Sequence, residues 1–175
     1  MFRRRHEREE ARDDTRYQMR QRMISIGDDY EIENDRGEHV FKVDGKALRV
    51  RKTLLFEDMQ GRELCKIQER MLRAKDSMEI EDPGGGRMAM VKKALVAPLR
   101  DRWVVKIEGG PDLHVQGNIV DHEYTIERDN DRVAEISKRW FRVRDTYGVE
   151  VAPGEQDILI LAVTSAIDEM AHPDR

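Results

Sequence analysis

The residues best suited to chemistry are cations that recur in one short pattern. Residues 48–53, 72–77 and 141–146 each contain a pair of cations separated by a single residue. Because successive side chains of a strand point to opposite faces, each pair would lie on the solvent side, about 7 Å apart. Arginines in that arrangement suit phosphate groups, which they bind through paired hydrogen bonds. The candidate anion-binding residues are therefore Arg49, Arg51, Arg73, Lys75, Arg142 and Arg144.

These cations have an alternative fate that the sequence leaves open. The chain is also rich in glutamate, and arginine–glutamate pairs across neighbouring strands are a common feature of sheet surfaces. A phosphate-binding face requires the three pairs to converge. Their convergence depends on the order of strands in space, which a single sequence does not give.

Other groups that could support catalysis or hold a metal lack the surroundings that they need. The three consecutive residues Asp121, His122 and Glu123, together with His114, resemble a metal cluster. Neighbours in a strand face opposite sides, so we expect these four to be turn and surface residues. The glycines at 84–86 are not followed by the Gly-Lys-Ser/Thr of a phosphate loop. Cys65 alternates with apolar residues and is expected to be buried. We therefore expect no catalysis, no metal and no cofactor.

Composition narrows the class of protein. The chain has 175 residues, enough for one domain, and a net charge of −4, so bulk electrostatics do not favour nucleic acid as a partner. A single cysteine excludes an internal disulfide. No apolar run reaches the roughly 20 residues of a transmembrane helix. A cytoplasmic protein is expected, with a peripheral position at a membrane as an open alternative.

The first 22 residues differ from the rest. They hold eight arginines and five acids with few apolar residues, which predicts a solvated tail or a frayed helix. A basic arm that touches an anionic surface is the alternative. We place the tail at 1–16 and a single domain at 17–175.

The remainder of the chain predicts β-hairpins. Short alternating segments flank Asp/Asn/Gly turns at 34–37, 58–61, 82–86, 109–112 and 129–131, and the total is 11–12 strands. So many strands would leave long exposed edges, and closure into a barrel removes them. Asp129, Asn130 and Asp131 are assigned to a turn because they lack the 12-residue loop of an EF-hand.

One segment departs from this pattern near the C-terminus. Residues 158–167 are apolar on nearly every side, and Pro153, Gly154, Glu155 and Asp157 precede them. The length and the Ala162/Ala166 spacing predict a helix over about 155–171. A helix that is apolar all round must be buried all round, and the interior of the barrel is the place that can bury it. Its length would then leave no interior room for a substrate.

This architecture resembles the tubby C-terminal-like fold, and the sequence is similar to its LURP-one-related branch. The similar segments are 26–30, 43–48, 76–80, 140–150 and the terminal helix, within about 17–171. The resemblance implies the fold and relatives that include phosphoinositide-binding tubby proteins and phospholipid scramblases. It carries no matching lipid-binding motif, and fold alone does not carry function.

The resulting hypothesis is a non-catalytic module whose basic outer surface binds anionic lipid head groups or other phosphorylated ligands. Two alternatives remain: a scaffold that binds another protein, for instance in a stress response, and a scramblase-like role in lipid movement. A contiguous apolar surface patch would favour the scaffold.

Overall fold

The computed structural model describes residues 14–20, 29–45, 52–70, 77–96, 100–141 and 146–172. Twelve antiparallel strands form a closed barrel in which each strand pairs with its neighbours in sequence, and β1 closes the barrel by pairing with β12. The strands are β1 Thr15–Arg20, β2 Asp29–Asn34, β3 His39–Gly45, β4 Thr53–Asp58, β5 Glu63–Glu69, β6 Ser77–Glu81, β7 Arg87–Val96, β8 Arg100–Ile107, β9 Leu113–Asn118, β10 Glu123–Arg128, β11 Asp131–Ser137 and β12 Thr146–Val151.

A single long helix, α1 (Asp157–Ala171), fills the barrel and follows β12. Ten of its residues, from Ile160 to Glu169, are buried. The inward residues of the strands, such as Ile32, Phe56 and Ile67, are fully buried with it in one core. The predicted barrel that encloses a C-terminal helix is therefore confirmed, with the helix beginning two residues later than expected.

The two ends of the barrel carry different connections, because neighbouring strands are antiparallel and follow one another in sequence. At one end, which we call the turn end, even-numbered strands lead into odd-numbered ones through tight turns. In three of these turns the side-chain oxygen of Asn34, Asp58 or Asp82 accepts backbone N–H bonds from residues two or four positions ahead. The predicted turn at 129–131 is also confirmed, with Asp129 and Asn130 at φ 50° and 70°.

The N-terminal segment differs from the expectation for residues 1–22. Thr15–Arg20 forms β1, which pairs with β12 and β2, where we expected a solvated tail or a frayed helix over 1–22; the barrel begins two residues before the domain boundary placed at 17. Tyr17 and Met19 are buried in the core, whereas Arg16 and Gln18, which alternate with them, are not. Two inward apolar residues are sufficient because the other face of the strand needs no burial. The Tyr17 hydroxyl also bonds to Asp157 at the start of α1.

Candidate functional site

The connections at the end of the barrel opposite the turn end are rich in lysine and arginine. Six sequence connections that lead from odd-numbered to even-numbered strands begin and end there, and α1 ends there too. These connections carry twelve lysines and arginines against four carboxylates. The connections at the turn end, with the one into α1, carry two arginines against seven carboxylates. We call the end that carries the connections from odd-numbered to even-numbered strands the basic end.

All six predicted anion-binding residues belong to connections of the basic end. Arg49, Arg51, Arg73, Lys75, Arg142 and Arg144 themselves lie outside the described residues, so their convergence stays a prediction. The described residues that flank each pair lie at the basic end: Gly45 and Lys52, Arg70 and Ser77, and Phe141 and Thr146.

Cations on the wall of the barrel are mostly paired with carboxylates on neighbouring strands. Lys66 lies 2.9 Å from Glu81, and Lys42 lies 3.1 Å from Asp29. Arg128 also binds Glu155, which lies in the connection from β12 to α1, through both of its terminal nitrogens at 2.7 and 3.0 Å. The described part of the wall is thus a surface of mixed charge with many salt bridges, and it offers no broad basic face to an anion.

Among the described residues, few large apolar side chains are exposed. Met59 lies in the turn between β4 and β5, and Val120 lies in the connection between β9 and β10 at the basic end. Because they stand at opposite ends of the barrel, the two do not form a patch. Within the same described ranges, no helix combines the length and the apolar composition that a membrane crossing requires.

A buried polar cluster lies just inside the basic end. His122 comes from the connection between β9 and β10, whereas Asp168 and His172 are one turn apart at the end of α1. His122 Nε2 is 2.6 Å from Asp168 Oδ1, and His172 Nδ1 is 3.1 Å from the same oxygen. His172 Nε2 contacts the Val120 carbonyl at 3.1 Å. The cluster therefore ties the end of the helix to the barrel wall.

Electrostatics within this cluster favour an ionised Asp168. Burial acts to raise the pKa of this carboxyl, but hydrogen bonds from His122 and His172 outweigh burial and hold the pKa below its usual value. The hydrogen bond to Asp168 raises the pKa of His172 against the opposite effect of burial. The neighbouring Glu169 forms an ion pair with Lys52.

Three tyrosines surround the cluster on its inner side. Burial raises the pKa of Tyr30, Tyr124 and Tyr147, and the charge of Asp168 adds to the rise in each, so all three stay neutral. The ring of Tyr147 stacks on His122 with centroids 4.4 Å apart. The hydroxyls of Tyr124 and Tyr147 are buried and have no hydrogen-bond partner among the described residues. This part of the interior is polar, unlike the rest of the core.

The prediction that His122 lies in a turn is confirmed, but the prediction that it is a surface residue was wrong. His122 lies in a turn, at φ 54°, but only 3% of it is exposed. The left-handed backbone at His122 directs its side chain into the barrel. Its partners there are distant in sequence, so the residues next to His122 do not reveal them. The sequence feature that could have identified the site is the Asp168/His172 spacing, which places both side chains on one face of a helix.

The aromatic residues of the chain lie at different depths. Trp103 is in the core. Trp140 and Phe141 are only half-buried and cover Gly148, where an added Cβ would lie 2.6 Å from the Trp140 ring. They pack outside β12 because a strand without a side chain at this position leaves room for a second layer. Cys65 is fully buried, as predicted.

A closed antiparallel barrel around its own C-terminal helix is the tubby-like fold that the sequence predicted. An X-ray structure of a protein from Arabidopsis thaliana has the same fold, with a TM-score of 0.65 and 15% identity over 88% of this chain and 90% of that chain. The family model described as LURP-one-related matches residues 15–168, and the chain belongs to this family. No curated protein matches the chain significantly.

Proposed function

We propose that this protein is a non-catalytic module whose basic end binds anionic lipid head groups at a membrane surface. The observation that supports this most directly is the contrast in sequence between the connecting segments of the two ends, with twelve cations against four carboxylates in one set and two against seven in the other. Opposite charges at the two ends favour an orientation in which the basic end faces an anionic surface. The three repeated cation pairs all belong to connections of that end.

The interior of the barrel supports an external ligand site. Residues from Ile160 to Glu169 of α1 are buried in the space that a ligand-binding barrel would leave open. A head group would therefore bind on the outside, where arginines can make bidentate contacts with phosphate. The exposed Val120 at the same end adds an apolar contact suited to the membrane interface.

The protein-scaffold alternative receives less support from the described surface. A contiguous apolar patch would favour a docking face for a protein, but among the described residues the exposed large apolar side chains, Met59 and Val120, stand at opposite ends of the barrel. A scaffold role is therefore an outcome of the experiment below and not a second proposal.

Liposome co-sedimentation of the full chain tests the proposal. We expect binding to vesicles that contain phosphatidylserine or a phosphoinositide, and no binding to pure phosphatidylcholine. Each cation near an anionic leaflet contributes about 1 kcal/mol, so Arg49→Gln combined with Arg51→Gln should weaken partitioning about thirtyfold. Raising the salt concentration should weaken it further.

The matched control removes the same charge from the other end. Arg36→Gln combined with Arg62→Gln should leave partitioning within about twofold of wild type, because both arginines lie at the turn end. A competition arm with soluble inositol phosphate distinguishes a membrane from a free phosphorylated ligand. Equal binding to neutral and anionic vesicles, or equal losses in the two double variants, would reject the proposal.

A further inference from the structure

Three potential metal ligands meet inside the basic end although they lie far apart in sequence. His122, Asp168 and His172 each offer one ligand atom, and these atoms all lie within 4.8 Å of one another. His122 and Asp168 are each 3% exposed. We propose that these three residues hold a divalent transition-metal ion, with zinc as the first candidate.

The donor set suits such an ion. Two imidazoles and one carboxylate are ligands that zinc accepts, and they leave a fourth position for water. His122 Nε2 and His172 Nδ1 both face the Asp168 carboxylate, so the two rings already converge. Their centroids are 5.1 Å apart. Two imidazoles that bind one zinc ion at a tetrahedral angle place their centroids about 5 Å apart.

Polar atoms without partners supply a second, independent observation. Asp168 Oδ2 and His122 Nδ1 are buried and have no hydrogen-bond partner within the described part of the chain. Buried polar atoms are nearly always satisfied, so an unpaired carboxylate oxygen in a group of imidazoles points to a ligand that belongs there. The unpaired hydroxyls of Tyr124 and Tyr147 near Asp168 could bond to a metal-bound water.

The surroundings meet two further requirements of a metal site. A metal-binding imidazole usually donates its other N–H to an acceptor that orients the ring, and His172 Nε2 faces the Val120 carbonyl in this way. An ion also needs a route of entry, and the side chain of His172 is 25% exposed. Glu169 is already paired with Lys52, so Asp168 is the carboxylate left for the ion.

Metal uptake by the full chain tests this inference independently of lipid binding. After dialysis against EDTA, calorimetric titration with zinc chloride should show one ion per chain with a Kd of about 10 µM or lower. Cobalt(II) should give the intense visible absorption of a four-coordinate site. At about a hundredfold excess of zinc over Kd, the melting temperature should rise by about 5–10 °C.

Histidine variants identify the site. His172→Gln should lower zinc affinity at least tenfold and abolish the cobalt spectrum. This variant is chosen because its partly exposed side chain can be changed without opening the core, and circular dichroism checks its fold. His114→Gln, on the outer wall in β9, should bind zinc like wild type. The inference is overturned if the wild type takes up no stoichiometric ion, or if His172→Gln binds zinc as tightly as His114→Gln.

Discussion

Shortening one buried side chain of the enclosed helix measures how far the fold depends on that helix. Leu161 lies in the first turn of the buried part of α1 and is 0% exposed. Leu161→Ala removes three carbon atoms from a site enclosed on all sides by strands, which limits the collapse of the resulting cavity. Truncations of this kind cost about 3–5 kcal/mol, which is a large part of the 5–15 kcal/mol that stabilises a typical domain.

Urea denaturation followed by circular dichroism measures this loss. With a slope of about 2 kcal/mol per molar urea, the midpoint should fall by about 1.5–2.5 M. Leu159→Ala is the matched control, because Leu159 is only half-buried on the same helix, and its midpoint should fall by less than half as much. A loss below about 1 kcal/mol for Leu161→Ala would show that the side chain is not enclosed, and would refute the central position of the helix. Leu161→Asp should prevent folding altogether.

Three further perturbations test other parts of the structure. Gly148→Ala should lower stability by about 1–3 kcal/mol in thermal melting, because the new Cβ meets the Trp140 ring; an unchanged melting temperature would contradict that contact. Burial raises the pKa of Cys65 to about 12, so iodoacetamide at pH 8 should label it only in denaturant, and rapid labelling of folded protein would disprove its burial. Burial acts to raise the pKa of Glu150, but hydrogen bonding to Arg16 outweighs it and the net pKa is lowered. The stabilisation from this ionised carboxylate is therefore present above its unfolded pKa and lost as the pH falls through the folded one, so Glu150→Gln should destabilise more at pH 7 than at pH 3; equal losses at both would argue against the ion pair.

Most of the fold could be predicted because its determinants are local. A hairpin turn needs only an Asx residue and a glycine a few positions later, as in Asn34 with Gly37 and Asp58 with Gly61. The helix follows from a run of apolar residues too long for a strand. β1 was missed because only Tyr17 and Met19 are apolar in it, and its partner β12 lies far away in sequence.

The candidate sites depend on how residues that are distant in sequence are arranged in three dimensions, and local sequence patterns do not contain that information. Strand order and direction alone group the basic connections at one end, and neither is visible in the three repeated motifs. His122 and Asp168 lie 46 positions apart in sequence. They meet only because the helix lies inside the barrel. The sequence therefore supplies the residue types, and their grouping follows from the closed topology.

The position of α1 has a consequence for biosynthesis. Among the described elements, α1 is synthesised after all the strands that surround it, and β1, which closes the barrel with β12, is synthesised before the other strands. A nascent chain therefore cannot close the barrel around α1 until that helix has been synthesised, and until then apolar faces that chaperones can recognise stay exposed. Stalled or truncated chains that lack residues 157–171 should accordingly be prone to aggregation.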